Sequence, residues 1–254
     1  MSDLMNVPTQ TLDLPSKGMM YPEGNPLSSG KVDLYMPTAM HEDILTNKNF
    51  IQQGVVLDKF LQAIIASKID YNDLLVGDKN AIMIGARILA YGSKYAFKYT
   101  DPVTREAEEV AVDLSELQEK ELDWSSIKKG TNEFEYQLPL SKQLVTFKIL
   151  SHKDEMAIEA EIKGLQKVNK NMSAETTIRL AQSIVAVNGD RDRKIVRDFV
   201  KTIPMRDSQD LRRKIIESTP DIVMKFDFTR KNGEVVEGLS IPMTVDFFWP
   251  DLSV

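Results

Sequence analysis

The residues with the most capacity for chemistry fall into four groups. Asp70, Asp73 and Asp78 lie close enough in sequence to gather a hard cation. Their spacing departs from the Ca²⁺ loop, which takes ligands at alternate positions and closes on a glutamate. The segment therefore reads as a solvated inter-helix loop, with Asp78 after Gly77 as the N-cap of the next helix. His41 precedes Glu42 and Asp43, an acid/base grouping because imidazole titrates near neutrality; the plainer reading is a surface first turn. A basic run, Arg191, Arg193, Lys194, Arg197 and Lys201, continues through Arg206, Arg212, Arg213 and Lys214. Asp190, Asp192, Asp198, Asp207 and Asp210 interleave with it, so it reads as an ion-paired helical face; an acidic protein or nucleic acid is the alternative contact. Phe247-Phe248-Trp249-Pro250 closes the set. Three consecutive aromatics cannot share one side of a strand. Either both sides are covered internally, or one ring is left as an anchor for a partner.

No Gly-rich phosphate loop and no Gly-x-Ser-x-Gly elbow occurs. With two histidines and no cysteine, disulfides, thiolate chemistry and most histidine-dependent triads are excluded. The expectation is a protein with no catalytic residues, no metal and no cofactor, and with no small-molecule substrate.

The elements that must position these residues are organised around Asn49 to Tyr91. Val56, Phe60 and Ile64, flanked by Leu57, Leu61 and Ile65, make one helical stripe. Ile82, Ala86 and Leu89 make a second, with Arg87 pointing elsewhere and Gly92 as C-cap. Before this pair, residues 1–37 carry five prolines and form an extended arm, which either folds back or docks on a partner. Lys31–Met36 alternates as a strand, and Thr38 caps a short helix through Leu45. After the pair, Tyr95–Tyr99 and Glu109–Leu114 read as a hairpin turned by Asp101-Pro102, and Glu133–Leu138 with Leu144–Leu150 as a second strand pair. Ser151 with Asp154 opens a charged helix. Ser173 caps another, whose apolar face runs Ile178, Ala181, Val185 until Asn188-Gly189-Asp190 breaks it. Arg193–Ile203 and Ser208–Ile216 are two more helices. Ile222–Thr229, a Lys231-Asn232-Gly233 turn and Val235 onward make a closing hairpin, followed by a strand at Met243–Phe248. The fold class is α+β: a helical core, small antiparallel hairpin or sheet elements, and an extended N-terminal arm. Three regions follow: 1–37 (arm), 38–150 (helical pair plus sheet) and 151–254 (helices closing with a hairpin).

A net charge of −6 over 254 residues, with 28% charged and 42% hydrophobic residues, describes an ordinary globular chain and argues against a dedicated nucleic-acid binder. No apolar run is long enough for a membrane span. No secretory signal pattern opens the chain, so a cytoplasmic protein is expected.

Leu14-Pro15-Ser16-Lys17-Gly18 with Tyr21-Pro22 resembles the opening of a baseplate protein family of T-even-like contractile-tailed phages. Pro37-Thr38 with Glu42-Asp43-Ile44-Leu45, the block Ile69–Asn80 (IDYNDLLVGDKN), Ala86-Arg87, Tyr91-Gly92 and the closing Phe247-Phe248-Trp249-Pro250 extend the resemblance over nearly the whole chain. It implies a non-enzymatic protein of the tail baseplate, either a subunit of the central hub or a factor assembling it, in the host cytoplasm during assembly or in the virion. Its partners would be other baseplate and hub proteins, engaged through Leu14, Pro15, Lys17, Gly18 and Tyr21 and through Phe247, Phe248 and Trp249. The competing reading is a small regulatory or nucleic-acid-binding module using residues 191–214. Members of the family can carry Cys-x-x-Cys pairs in the two hairpins, which would make a zinc site. This chain has no cysteine, and the expectation is that its hairpins pair without metal.

Overall fold

The computed structural model describes residues 8–101, 104–168 and 174–248. β1 (Thr9–Asp13) pairs antiparallel with β2 (Lys31–Tyr35), Thr9 opposite Tyr35 and Asp13 opposite Lys31. Within the described residues the arm is therefore folded back. The linking segment is pinned by its own backbone: the Leu14 amide donates to the Gly30 carbonyl at 2.8 Å. Lys17 and Gly18 both take positive φ. A Cβ on Gly18 would lie 2.4 Å from the Ser28 carbonyl oxygen, so this turn requires glycine.

α1 (Ala39–Leu45) opens at Thr38 as expected. The first helix of the expected pair is two: α2 (Lys48–Gln53), closed by Gly54 in the left-handed region, and α3 (Val56–Ile64). Val56, Phe60, Leu61 and Ile64 are buried, the stripe that the spacing predicts. α4 (Val76–Tyr91) ends at Gly92 with φ 82°. Its N-cap is Leu75, and Asp78 lies inside the first turn. The expected Asp78 cap is thus replaced by a buried role described below. Arg87, off that stripe, is buried and donates to the Gly92 carbonyl at 3.1 Å.

β3 (Lys94–Thr100) and β4 (Ala107–Asp113) form the predicted hairpin; Pro102 of its expected turn lies outside the described residues. β5 (Phe134–Gln137) pairs with β6 (Leu144–Phe147). α5 (His152–Val168) starts from the expected box, the Ser151 amide donating to Asp154 at 3.0 Å. α6 (Glu175–Ser183) follows; Ser173, its expected cap, lies outside the described residues. The predicted extension to Val185 is overturned, because Ile184–Val187 is a strand, β7, paired with β6. α7 (Arg193–Thr202) and α8 (Met205–Ser218) match the two predicted helices. β8 (Lys225–Thr229) and β9 (Val235–Ser240) make the closing hairpin around Gly233. The strand expected at Met243–Phe248 is instead a 3₁₀ turn at Val245–Phe248. That turn lets consecutive rings be buried in different places: Phe248 packs on Phe60, and Phe247 meets Tyr95 edge-on.

The architecture is α+β, with small sheets of two or three strands around helices. One apolar cluster runs from Leu14 to Phe248 and draws on β2, α3, α4, β6, α7 and α8. A smaller one of Leu150, Ile158 and Ile178 lies under α5 and α6.

Candidate functional site

The block IDYNDLLVGDKN folds into the point where distant parts of the chain meet. Asp70 caps a 3₁₀ turn by accepting from the Asn72 amide at 2.9 Å, and Asp73 accepts from the Asn25 side chain at 2.8 Å. Asp78 is fully buried. It accepts three bonds from the N-terminal turn: the Ser16 amide (2.9 Å), the Ser16 hydroxyl (2.7 Å) and the Tyr21 hydroxyl (2.6 Å). Tyr21 in turn accepts from the Leu75 amide at 3.0 Å. Burial pushes the Asp78 carboxyl above its ordinary range, and the Tyr21 and Ser16 bonds oppose that push. Burial and the Asp78 charge together push the Tyr21 phenol upward, so it stays a donor. The carboxylates expected to share a loop thus have separate partners. Among the described residues no group of three or more candidate metal ligands occurs.

The same helix start touches two later segments. The Val76 amide donates to the Leu150 carbonyl (3.1 Å), and the His152 amide to the Leu74 carbonyl (2.7 Å). A Cβ on Gly77 would sit 1.8 Å from the Pro220 carbonyl oxygen, and the Asn80 side chain donates to Asp221 at 3.1 Å. Only a residue without a side chain allows that backbone approach.

A second polar cluster, which the sequence reading missed, lies beside the first. Lys79 pairs with Asp58 at 2.5 Å, and Asp58 accepts from the Tyr71 hydroxyl at 2.8 Å. The buried His152 ring stands 3.4 Å from the Lys79 ammonium and 3.9 Å from Asp58. Burial, and then Lys79, push the His152 pKa below its ordinary value, against the pull of Asp58 and Glu155. His152 is therefore neutral at pH 7. His41, the histidine that the sequence singled out, does capping work: its Nδ1 accepts from the Thr38 amide at 3.0 Å.

The third cluster joins the two hairpins. Arg230, buried at the end of β8, donates to Asp101 (2.9 Å), Glu108 (2.9 Å), Glu106 (3.1 Å) and Glu234 (3.1 Å). The Lys231 amide adds a bond to Glu108 at 3.1 Å, and Phe97–Phe226 and Tyr99–Phe228 meet edge-on. Hydrogen bonds from Arg230 and Lys231 hold the Glu108 carboxyl below its ordinary range. The hairpins pair as expected. A delocalised guanidinium with five donors is the side chain suited to bind several carboxylates at once.

Four of the nine basic residues between Arg191 and Lys214 are ion-paired. Arg191 grips Glu133 with two bonds, Arg197 reaches Glu161, Lys201 pairs with Asp198, and Arg213 pairs with Asp210. Arg193 donates to the Ile184 and Ala181 carbonyls.

The residues nominated for partner contact sit unequally. Leu14, Pro15, Gly18, Tyr21, Phe247 and Phe248 are buried, and two of them belong to the Asp78 and Phe60 contacts above. Lys17 is exposed, its ammonium 5.0 Å from the centre of the Trp124 ring. Trp249 lies outside the described residues. Their depth was not legible in the sequence, because an apolar residue in a turn looks the same whether it docks inward or outward.

No helix of the described residues is long and apolar enough to cross a membrane. A search of curated proteins and one of solved structures returned no match. A model of the family described as "T4 bacteriophage base plate protein" matches residues 11–249.

Proposed function

The chain belongs to the T4 bacteriophage base plate protein family, and on that premise we propose that it works without catalysis, by binding other baseplate proteins. Its place is the central hub, as a subunit or as a factor that assembles it. The family match, spanning the N-terminal turn to the C-terminal rings, carries this reading. The three polar clusters support it, since Asp78, the Asp58–Lys79–His152 group and Arg230 each bind elements of the chain to one another. Such a body offers partners a fixed surface, which lowers the ordering cost of association. Among the nominated residues, Lys17 on the N-terminal turn and Trp249 after the C-terminal rings are the proposed contacts. Leu14, Pro15, Gly18 and Tyr21 are buried in the turn that carries Lys17, and Phe247 and Phe248 are buried in the core.

Quantitative mass spectrometry of purified particles tests the role. A few copies per particle is the result expected of a hub subunit. Absence from particles, with baseplates failing when the gene is removed, identifies the assembly factor. Absence with normal assembly overturns the proposal.

A further inference from the structure

A groove of about 440 Å³ lies between α6 and α8, floored by Val76 and Leu150. Its size is within the range of ligand pockets, and Leu180, Ile215 and Ile216 give it apolar walls. Ile216 is 66% exposed, so its side chain is accessible to an occupant of the groove. The charges on the two walls differ. On the α6 side, Arg179 is held by Glu155 at 2.6 Å and by Glu175 at 3.7 Å. On the α8 side, Arg212 lines the groove, and the bond shown for its side chain is a long one, from Nε to the Ser208 carbonyl at 3.4 Å. No described carboxylate lies within ion-pair distance of it, whereas its neighbour Arg213 pairs with Asp210.

We propose that this groove receives an apolar segment of another baseplate protein that carries a carboxylate, and that Arg212 binds that carboxylate. The inference rests on the protein-binding role proposed above and specifies its surface. The aliphatic walls supply the burial. The unpaired guanidinium fixes direction, because an occupant's acidic group is drawn toward Arg212 on α8, whereas Arg179 on the opposite wall already holds Glu155 and Glu175. Arginine in this position forms two parallel bonds to a carboxylate, and a cation at an apolar rim selects partners by charge.

The test places p-benzoylphenylalanine at Ile216, and in a second variant at Thr176, in the full chain during phage infection, and maps photo-crosslinks by mass spectrometry. The expected result is a crosslink to a segment of another baseplate protein bearing several apolar residues and an Asp or Glu. Arg212→Glu should then lower the crosslink yield about tenfold, and replacing the mapped acid by Lys in the partner should restore it. Crosslinks confined to copies of this chain, a crosslinked segment without an acid, no crosslink from either position, or indifference to Arg212→Glu would overturn the inference. Thermal melting of each variant checks that it is folded. A chain that still co-purifies with baseplates without a groove crosslink defeats this inference alone. A chain dispensable for baseplates and absent from them defeats the protein-binding role as well.

Discussion

Asp78 shows how much depends on one side chain. It is buried with three donors aimed at it, two from hydroxyls and one from a backbone amide. Removing the acceptor leaves those donors buried without a partner. Asp78→Ala is expected to cost about 3–5 kcal/mol in urea unfolding, while Asp73→Ala, at an exposed carboxylate with one bond to Asn25, should cost under about 1 kcal/mol. Equal effects would show that the buried Asp78 bonds contribute no more than the exposed Asp73 bond. His152 gives a pH-dependent counterpart. Its folded pKa is depressed by burial and by Lys79, so the unfolded chain binds the proton more readily. The stability it confers is complete above its unfolded pKa of about 6.5 and is lost as pH falls from there through the lower folded value. Between pH 7.5 and 5, His152→Gln should therefore lose less urea resistance than the parent chain.

At the scale of elements, the Arg230 contacts join two hairpins that share no strand ladder. Arg230→Met is expected to raise amide exchange over residues 94–113 and 225–240 while α4 stays protected; unchanged exchange in both hairpins would show that the ring contacts suffice. Most elements were legible because their periodicity was long enough to identify. β3, β4, β5, β6, β8 and β9 alternate, and α7 and α8 are set apart by Pro204. β7 was not legible, since four apolar residues flush against a helix fit either period. Its partner β6 lies about 40 residues away in the chain, and that pairing settles the conformation. The Asp78 error has the same origin. A carboxylate after glycine is a good local cap, and nothing local reveals donors 57 and 62 residues upstream. Arg230 could not be singled out for the same reason: its meaning comes from carboxylates on another hairpin.

For the whole molecule, the arm is part of the body from residue 8 onward. Deleting residues 1–22 removes β1 together with the buried Leu14, Met20 and Tyr21. The loss should reach roughly 5 kcal/mol, a fall in Tm above about 10 °C. A truncated chain with an unchanged Tm would show that the arm adds little to stability. The crossing at the start of α4 has a further consequence, in time rather than in space. The Gly77–Pro220 approach and the Asn80–Asp221 bond join residues more than 140 positions apart, so a ribosome has long since released α4 before their partners exist. The N-terminal turn can dock early through Asp78, but the junction as a whole is expected to close only when the last third of the chain has emerged. A chain halted before Pro220 would carry α4 with its tightest contact unmade, and would leave baseplate partners to meet an unfinished surface.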